Sequence, residues 1–441
     1  MKSFLSLLIG VTIHAVSFTQ ANESWNNTNG KAAASQLGQA DFSGDVRNRT
    51  AGPPAANTLF SPGKVAVDSN AGKIYVVDTL NHRILRYATA TALQDGSSAE
   101  AVFGQPDFVS STPAADRNGL NEPFAAVVDF AGTLWVSDTG NHRVVAYENA
   151  ATESNYPAAD LFLGQPDELT TTSGTAADKF HTPMGLAFDT QANLWVADSS
   201  NHRVLFFARP SSEDGVADKV LGNSVFTQAV SGTTADRLYL PSDVAITADE
   251  TLWVADRANN RVVRFDNVDT KMNGASADGV LGQTSFGPVA AGLSNAGFHM
   301  PESLSINPVG RLFVADSVNR RVLHFRAAAS KPDGAPADGV LGKSVFTNND
   351  AEMASATSTQ KPVGVTCDGN GRIWVADESN NRVMRFQAND NSARIASIKR
   401  QIKKLKKAIK KAKKKKKKSA LKRAKKKIRS LNRQLISLLQ N

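Results

Sequence analysis

An all-β ring of six four-stranded blades, closed by an N-terminal strand and followed by a C-terminal lysine-rich α-helical tail, is predicted by three features of the 441-residue sequence. A twelve-residue segment recurs six times at a nearly constant interval. Each copy is flanked by further short apolar runs set off by turn residues. The run that should follow the last copy stands instead ahead of the first.

The segment reads VVDTLNHRILRY from Val76, VSDTGNHRVVAY from Val136, VADSSNHRVLFF from Val196, VADRANNRVVRF from Val254, VADSVNRRVLHF from Val314 and VADESNNRVMRF from Val375. Its aspartates, Asp78, Asp138, Asp198, Asp256, Asp316 and Asp377, lie 60, 60, 58, 60 and 61 residues apart. So regular a period marks an array of like units.

Upstream of each segment is a run led by Pro62, Pro123, Pro183, Pro241, Pro301 or Pro362, and downstream of the first five is a Leu-Gly or Phe-Gly run at Gly104, Gly164, Gly222, Gly282 and Gly342. The last unit illustrates the first three strands: GVTCD at Gly364 to Asp368, RIWVAD at Arg372 to Asp377 and RVMRF at Arg382 to Phe386. Four short strands rich in β-branched and aromatic residues make one blade, and six blades make a β-propeller.

After Phe386 the fourth strand is missing, and its sixth copy, Leu37-Gly38-Gln39-Ala40-Asp41-Phe42, precedes the first unit. The N-terminal run should therefore supply the outer strand of the last blade, so that ladder hydrogen bonds close the ring. Trp135, Trp195, Trp253 and Trp374 share one register with Tyr75 and Phe313 and should pack between blades.

The motif VADSxNHRVxRF resembles the NHL repeat, and three copies read Asn-His-Arg: Asn81-His82-Arg83, Asn141-His142-Arg143 and Asn201-His202-Arg203. The resemblance spans residues 35–390. The strands at Phe103 to Phe108 and Leu163 to Asp167 look like those of exported NHL proteins of unassigned function, so the resemblance implies a fold more than an activity. Related six-bladed propellers include metal-dependent lactonases and an amidating lyase with carboxylate, Asn, His, Tyr or Arg groups in the channel; no such set maps onto this chain residue by residue.

The repeated Asp, Asn and Arg read as scaffold, because an active site draws different groups from different blades rather than one group six times. The Asp should accept N–H bonds in the turn that follows, the Asn should take the left-handed conformation, and the Arg should pair with a carboxylate or carbonyl. Chemistry is then sought where the repeat breaks. His181 and His299 stand two residues before a strand-leading proline, and Asp243 and Glu302 stand just after one. The histidines are the candidates for Zn²⁺ and the carboxylates for Ca²⁺. No Ser-His-Asp arrangement, phosphate-binding glycine loop or clustered metal motif is evident.

The long, unequal loops between blades, 107–122, 167–182, 223–240, 284–300 and 344–361, should line one face and form a binding surface. The sequence thus points to a binding or scaffold module for a protein or glycan ligand. The alternative is a metal-dependent enzyme, lactonase-like hydrolase or lyase, with its site at the channel mouth.

The termini carry a different message. Met1-Lys2-Ser3 and the apolar run from Phe4 to Val16 read as a signal peptide over residues 1–21, with a linker over 22–34, which implies a secreted, periplasmic or cell-surface protein. Cys367 is the sole cysteine, so no intrachain disulfide can form. Asn22, Asn26 and Asn48 head Asn-X-Ser/Thr triplets.

Residues 393–441 hold 22 of the 51 Lys and Arg and no acid, leaving 29 basic against 41 acidic residues elsewhere, a net of −12. Such an acidic ring disfavours RNA binding, which calls for a basic face. Within the tail, 391–441, Ile395, Ile398, Ile402, Leu405, Ile409 and Ala412 keep a helical period. Leu421, Ala424, Ile428, Leu431, Leu435 and Leu438 resume it after the lysine run, as two amphipathic helices or a coiled coil would. Lys410, Lys411, Lys413, Lys414, Lys415, Lys416, Lys417, Lys418, Lys422 and Arg423 are the polyanion-binding candidates, for an anionic polymer or surface.

Overall fold

The computed structural model describes Trp25, residues 28–210 and 215–387, and the single positions Ile402 and Lys427. Signal-peptide residues 1–21, Asn22, Asn26 and the tail candidates from Lys410 to Arg423 lie outside the described residues.

Thr28–Phe386 forms one unit of six antiparallel four-stranded sheets. From axis to rim, the first blade comprises Pro62–Val67, Ile74–Asp78, Arg83–Tyr87 and Ala101–Phe103. The second has Ala126–Val128, Leu134–Asp138, Arg143–Tyr147 and Leu161–Leu163, and the third Pro183–Phe188, Leu194–Asp198, Arg203–Phe207 and Lys219–Leu221. The fourth has Pro241–Ile246, Leu252–Asp256, Arg261–Phe265 and Gly279–Leu281, and the fifth Pro301–Ile306, Leu312–Asp316, Arg321–Phe325 and Gly339–Leu341. The sixth adds Ser35–Leu37 to Pro362–Cys367, Ile373–Asp377 and Arg382–Phe386. Inner strands touch their neighbours around the whole circle, the first meeting the sixth.

Closure follows the predicted route: Ser35, Gln36 and Leu37 pair antiparallel with Arg385, Met384 and Val383. It also extends further than the outer strand. In blades one, three and four the middle residue of the outer strand, Val102, Val220 or Val280, donates its N–H to Asn155, Asn273 or Asp333 of the following blade. Val340 of the fifth blade finds the same partner in Asn29, at 3.2 Å, and Thr28 Oγ1 lies 2.9 Å from His324 Nε2. The Thr28–Ala34 stretch, read from sequence as linker, is therefore a strap that completes both the fifth and the sixth blades.

Between blades lie the apolar cores. Trp135 packs with Leu186 and Leu194, Trp195 with Val244 and Leu252, Trp253 with Leu304 and Leu312, and Trp374 with Val65 and Ile74, each reaching the next blade. These buried indoles make four of the six boundaries hydrophobic interfaces, as their shared register predicts, and buried Tyr75 takes the same place against Leu134 and Val136 between the first and second blades. The Leu-Gly glycines end the outer strands at positive φ, 79° to 93°, where a side chain would be strained. At Gly164 a Cβ would also sit 2.2 Å from the Phe180 ring.

The second blade departs from the Pro-led pattern. Ser137 replaces the usual Ala or Val, and its Oγ accepts the Ala125 N–H at 2.9 Å, so the inner strand begins at Ala126 rather than Pro123. Among the described ring residues there is no α-helix, only three-residue 3-10 turns, and no described helix is long and apolar enough to cross a membrane.

Candidate functional site

The repeated polar residues build a buried clamp in every blade. In the second blade Asp138 Oδ1 accepts the Asn121 N–H at 2.7 Å, while Oδ2 accepts from Asn141 Nδ2 at 2.8 Å and Arg143 Nε at 2.7 Å. The Arg143 guanidinium then donates to the carbonyls of Ala115, Asp116, Gly119 and Glu168. A carboxylate so engaged fixes a guanidinium, and the guanidinium fixes two loops. Burial pushes the carboxyls of Asp78, Asp138, Asp198, Asp256 and Asp316 up, against the pull of their arginines.

Two details differ from the sequence reading. The backbone N–H that the aspartate accepts belongs to a residue in the incoming loop, 18 positions earlier in the first blade and 17 in the other five, and not to the turn that follows. The left-handed residue is not the asparagine, whose amide is needed for the aspartate, but the one after it: His82, His142, His202, Asn260, Arg320 and Asn381.

That residue has a role of its own. His82 Nδ1 accepts the N–H of Glu122 in the next blade at 3.0 Å, His142 that of Thr182 at 3.2 Å and His202 that of Leu240 at 3.2 Å. Asn260 Oδ1 does the same for Met300 at 2.8 Å, and Asn381 Oδ1 for Ser61 at 2.9 Å. Sequence reasoning missed these clasps because donor and acceptor are 38 to 40 residues apart in the histidine cases.

The clamps hold the loops of one face rigidly, and each loop still shows an aliphatic side chain to solvent: Val46, Val109, Leu169, Val225, Val289 and Val345. Leu169 is 68% exposed. Asn48, head of the third glycosylation triplet, points inward: its Nδ2 donates to the Gly52 carbonyl, and the residue is buried.

At the axis, Lys64 Nζ of the first blade donates to Asp243 Oδ2 of the fourth at 2.6 Å and to the Leu304 carbonyl at 3.2 Å. Asp243 Oδ2 also accepts from Ser303 Oγ and the Leu304 N–H, at 2.7 and 2.8 Å. A cavity of about 290 Å³ beside this pair is lined by the inner strands of all six blades. Cys367 is on its wall, its thiol pushed up to about 12 by burial and by the neighbouring Asp368 carboxylate, which keeps it protonated.

The four metal candidates are scattered among other duties. Asp243 is committed to Lys64, and buried Glu302 lies 3.4 Å from Arg257, its carboxyl pushed up by burial. His181 stands edge-on to His142 with ring centroids 5.4 Å apart, and the His181 and His299 N–H groups serve the clamps through Asp198 and Asp316. Among the described residues no three His, Cys, Asp or Glu side chains converge as a metal-binding group. The four candidates do not come together in one centre.

The family model of the NHL repeat matches residues 238–265 and 359–386. The chain is 25% identical to teneurin-m of Drosophila melanogaster over 57% of its own length and 10% of that protein's. It is 29% identical to peptidyl-glycine alpha-amidating monooxygenase of Mus musculus over 38% and 16%, and 23% identical to NHL repeat-containing protein 2 of Gallus gallus over 75% and 46%. It thus spans less than half the length of each of these relatives. Among solved structures it is similar to a gluconolactonase from Xanthomonas campestris, with TM-score 0.46 and 12% identity over 80% of this chain and 97% of that one. It is also similar to virginiamycin B lyase from Staphylococcus aureus, with TM-score 0.42 and 12% identity over 75% and 96%.

Proposed function

Because this chain is an NHL-repeat protein folded as a six-bladed β-propeller, we propose that it is an exported binding or scaffold module whose loop face takes a protein or glycan ligand and whose polycationic tail attaches it to an anionic partner or surface. The observation that carries this reading is the set of buried Asp-Asn-Arg clamps, which hold variable, aliphatic-tipped loops on a rigid ring. Preorganised loops lose little entropy on binding. Export is supported by the apolar run from Phe4 to Val16, and tail attachment by the excess of lysine over residues 393–441.

Two experiments test the two halves. The full chain is expected to be retained on heparin in a salt-sensitive manner, and a chain lacking residues 393–441 is not; equal retention of both rejects the tail's role. Glycan-array and cross-linking signals of the full chain are expected to fall when Val109, Leu169 and Val345 are replaced by aspartate. Unchanged signals would move the binding surface away from this face.

The rival reading, a metal-dependent hydrolase or lyase, has Asp243 and Glu302 already engaged by Lys64 and Arg257. Stoichiometric calcium or zinc in the purified chain, lost in Glu302→Gln, would favour it over the binding module.

A further inference from the structure

We propose that His82, His142 and His202 make three consecutive blade boundaries acid-labile, so that protonation releases the loop ends at Glu122, Thr182 and Leu240 while the boundaries held by asparagine stay fast. The geometry is the same at all five clasped boundaries. The acceptor sits in the left-handed conformation, φ 50° to 54°, and the donor residue in the next blade, Glu122, Thr182, Leu240, Met300 or Ser61, has φ of 47° to 53°. Only the acceptor atom differs. An amide oxygen cannot be protonated in the physiological range, whereas imidazole Nδ1 that gains a proton becomes a donor and faces the neighbouring N–H with a like dipole.

The surroundings decide which clasp yields first. His82 faces the carboxylates of Glu122 and Asp78, which favour the charged ring. His142 faces His181 edge-on, and His202 faces the Tyr239 ring, 5.3 Å between centroids, with His181 beyond. No carboxylate bears on these two, whose charged form is favoured only by a backbone carbonyl, of Thr139 or of Ser199, so their clasps persist to lower pH than that of His82. Partial burial lowers all three histidines from their ordinary value, which keeps the clasps closed at neutral pH. All three rings remain partly exposed, so protons can reach them. The fifth boundary has no clasp of this kind: Arg320 occupies the acceptor position, and the Lys361 N–H turns to Asp377 Oδ1 at 3.0 Å instead.

Hydrogen–deuterium exchange of the full chain, corrected for intrinsic rates and read on peptides covering each donor, tests this directly. Between about pH 7.5 and pH 5, protection at Glu122, Thr182 and Leu240 is expected to fall about tenfold, the worth of one hydrogen bond. Protection at Met300 and Ser61 is expected to hold. In His142→Asn, which copies the chain's own solution at Asn260, Thr182 alone should lose its pH dependence. Parallel behaviour of all five donors, or an unaltered Thr182 response in His142→Asn, overturns the proposal.

Discussion

Lys64 and Asp243 belong to opposite blades, 179 residues apart, yet their side chains meet at 2.6 Å across the ring axis with both groups buried. Removing one partner strands the other buried charge, so Lys64→Met is expected to destabilise the ring by about 3–5 kcal/mol. Replacing both, as Lys64→Met with Asp243→Leu, should lose far less than the sum of the singles. Urea melts of the four proteins give the coupling; additive losses would show that the pair does not act as one.

The strap supplies a second prediction. Deleting residues 35–43 removes the outer strand of the sixth blade and should unfold the ring cooperatively, whereas Asn29→Ala removes only the acceptor for the Val340 N–H. The substitution should lower stability by about 1 kcal/mol. An unchanged melting temperature after the deletion would refute closure by this strand.

Tyr147 ends the third strand of the second blade, where blades three to six have Phe207, Phe265, Phe325 and Phe386. Its ring packs edge-on against Phe103, but its buried hydroxyl has no hydrogen-bond partner among the described residues. Tyr147→Phe is therefore expected to raise stability by about 1 kcal/mol. Thermal melts of the two proteins check it, and a lower melting point would mean that the hydroxyl is satisfied in solution.

His324 holds the strap through Thr28 and lies 3.3 Å from the Arg311 guanidinium. Burial, then the arginine charge, pushes it down to about 3 from 6.5. Below pH 6.5 the unfolded chain takes up a proton that the folded ring refuses, so this contribution is complete above 6.5 and is lost as pH falls toward 3. The full effect is about 5 kcal/mol by the lower end of that window. His324→Gln should flatten the acid limb of stability against pH relative to the parent chain; an equally steep limb would place the titration elsewhere.

Blade number, strand order and the crossing of the N-terminal strand were all legible in the sequence, because each is written in a 60-residue period and one displaced Leu-Gly-Gln. The strap's second task also left a trace. Asp95-Gly96, Asn273-Gly274 and Asp333-Gly334 stand before outer strands, and Asn29-Gly30 is a further copy. It was obscured by lying in a polar stretch ahead of the repeats. The Lys64–Asp243 pair left none, since no local pattern connects two residues on opposite blades. The histidines of Asn-His-Arg were visible as residues but not as acceptors, for their donors are backbone groups and backbone groups have no sequence signature.

Synthesis from the N-terminus gives the closing strand a kinetic meaning. Ser35–Leu37 is among the first segments of the ring to be made and its partner, Arg382–Phe386, is the last. Until translation reaches Phe386, an unpaired edge must be kept from other chains. Loop-closure entropy over almost the whole ring makes this final pairing slow. The ring is therefore most vulnerable to aggregation when it is nearly finished, and a nascent chain halted before its last blade should be the species that molecular chaperones hold.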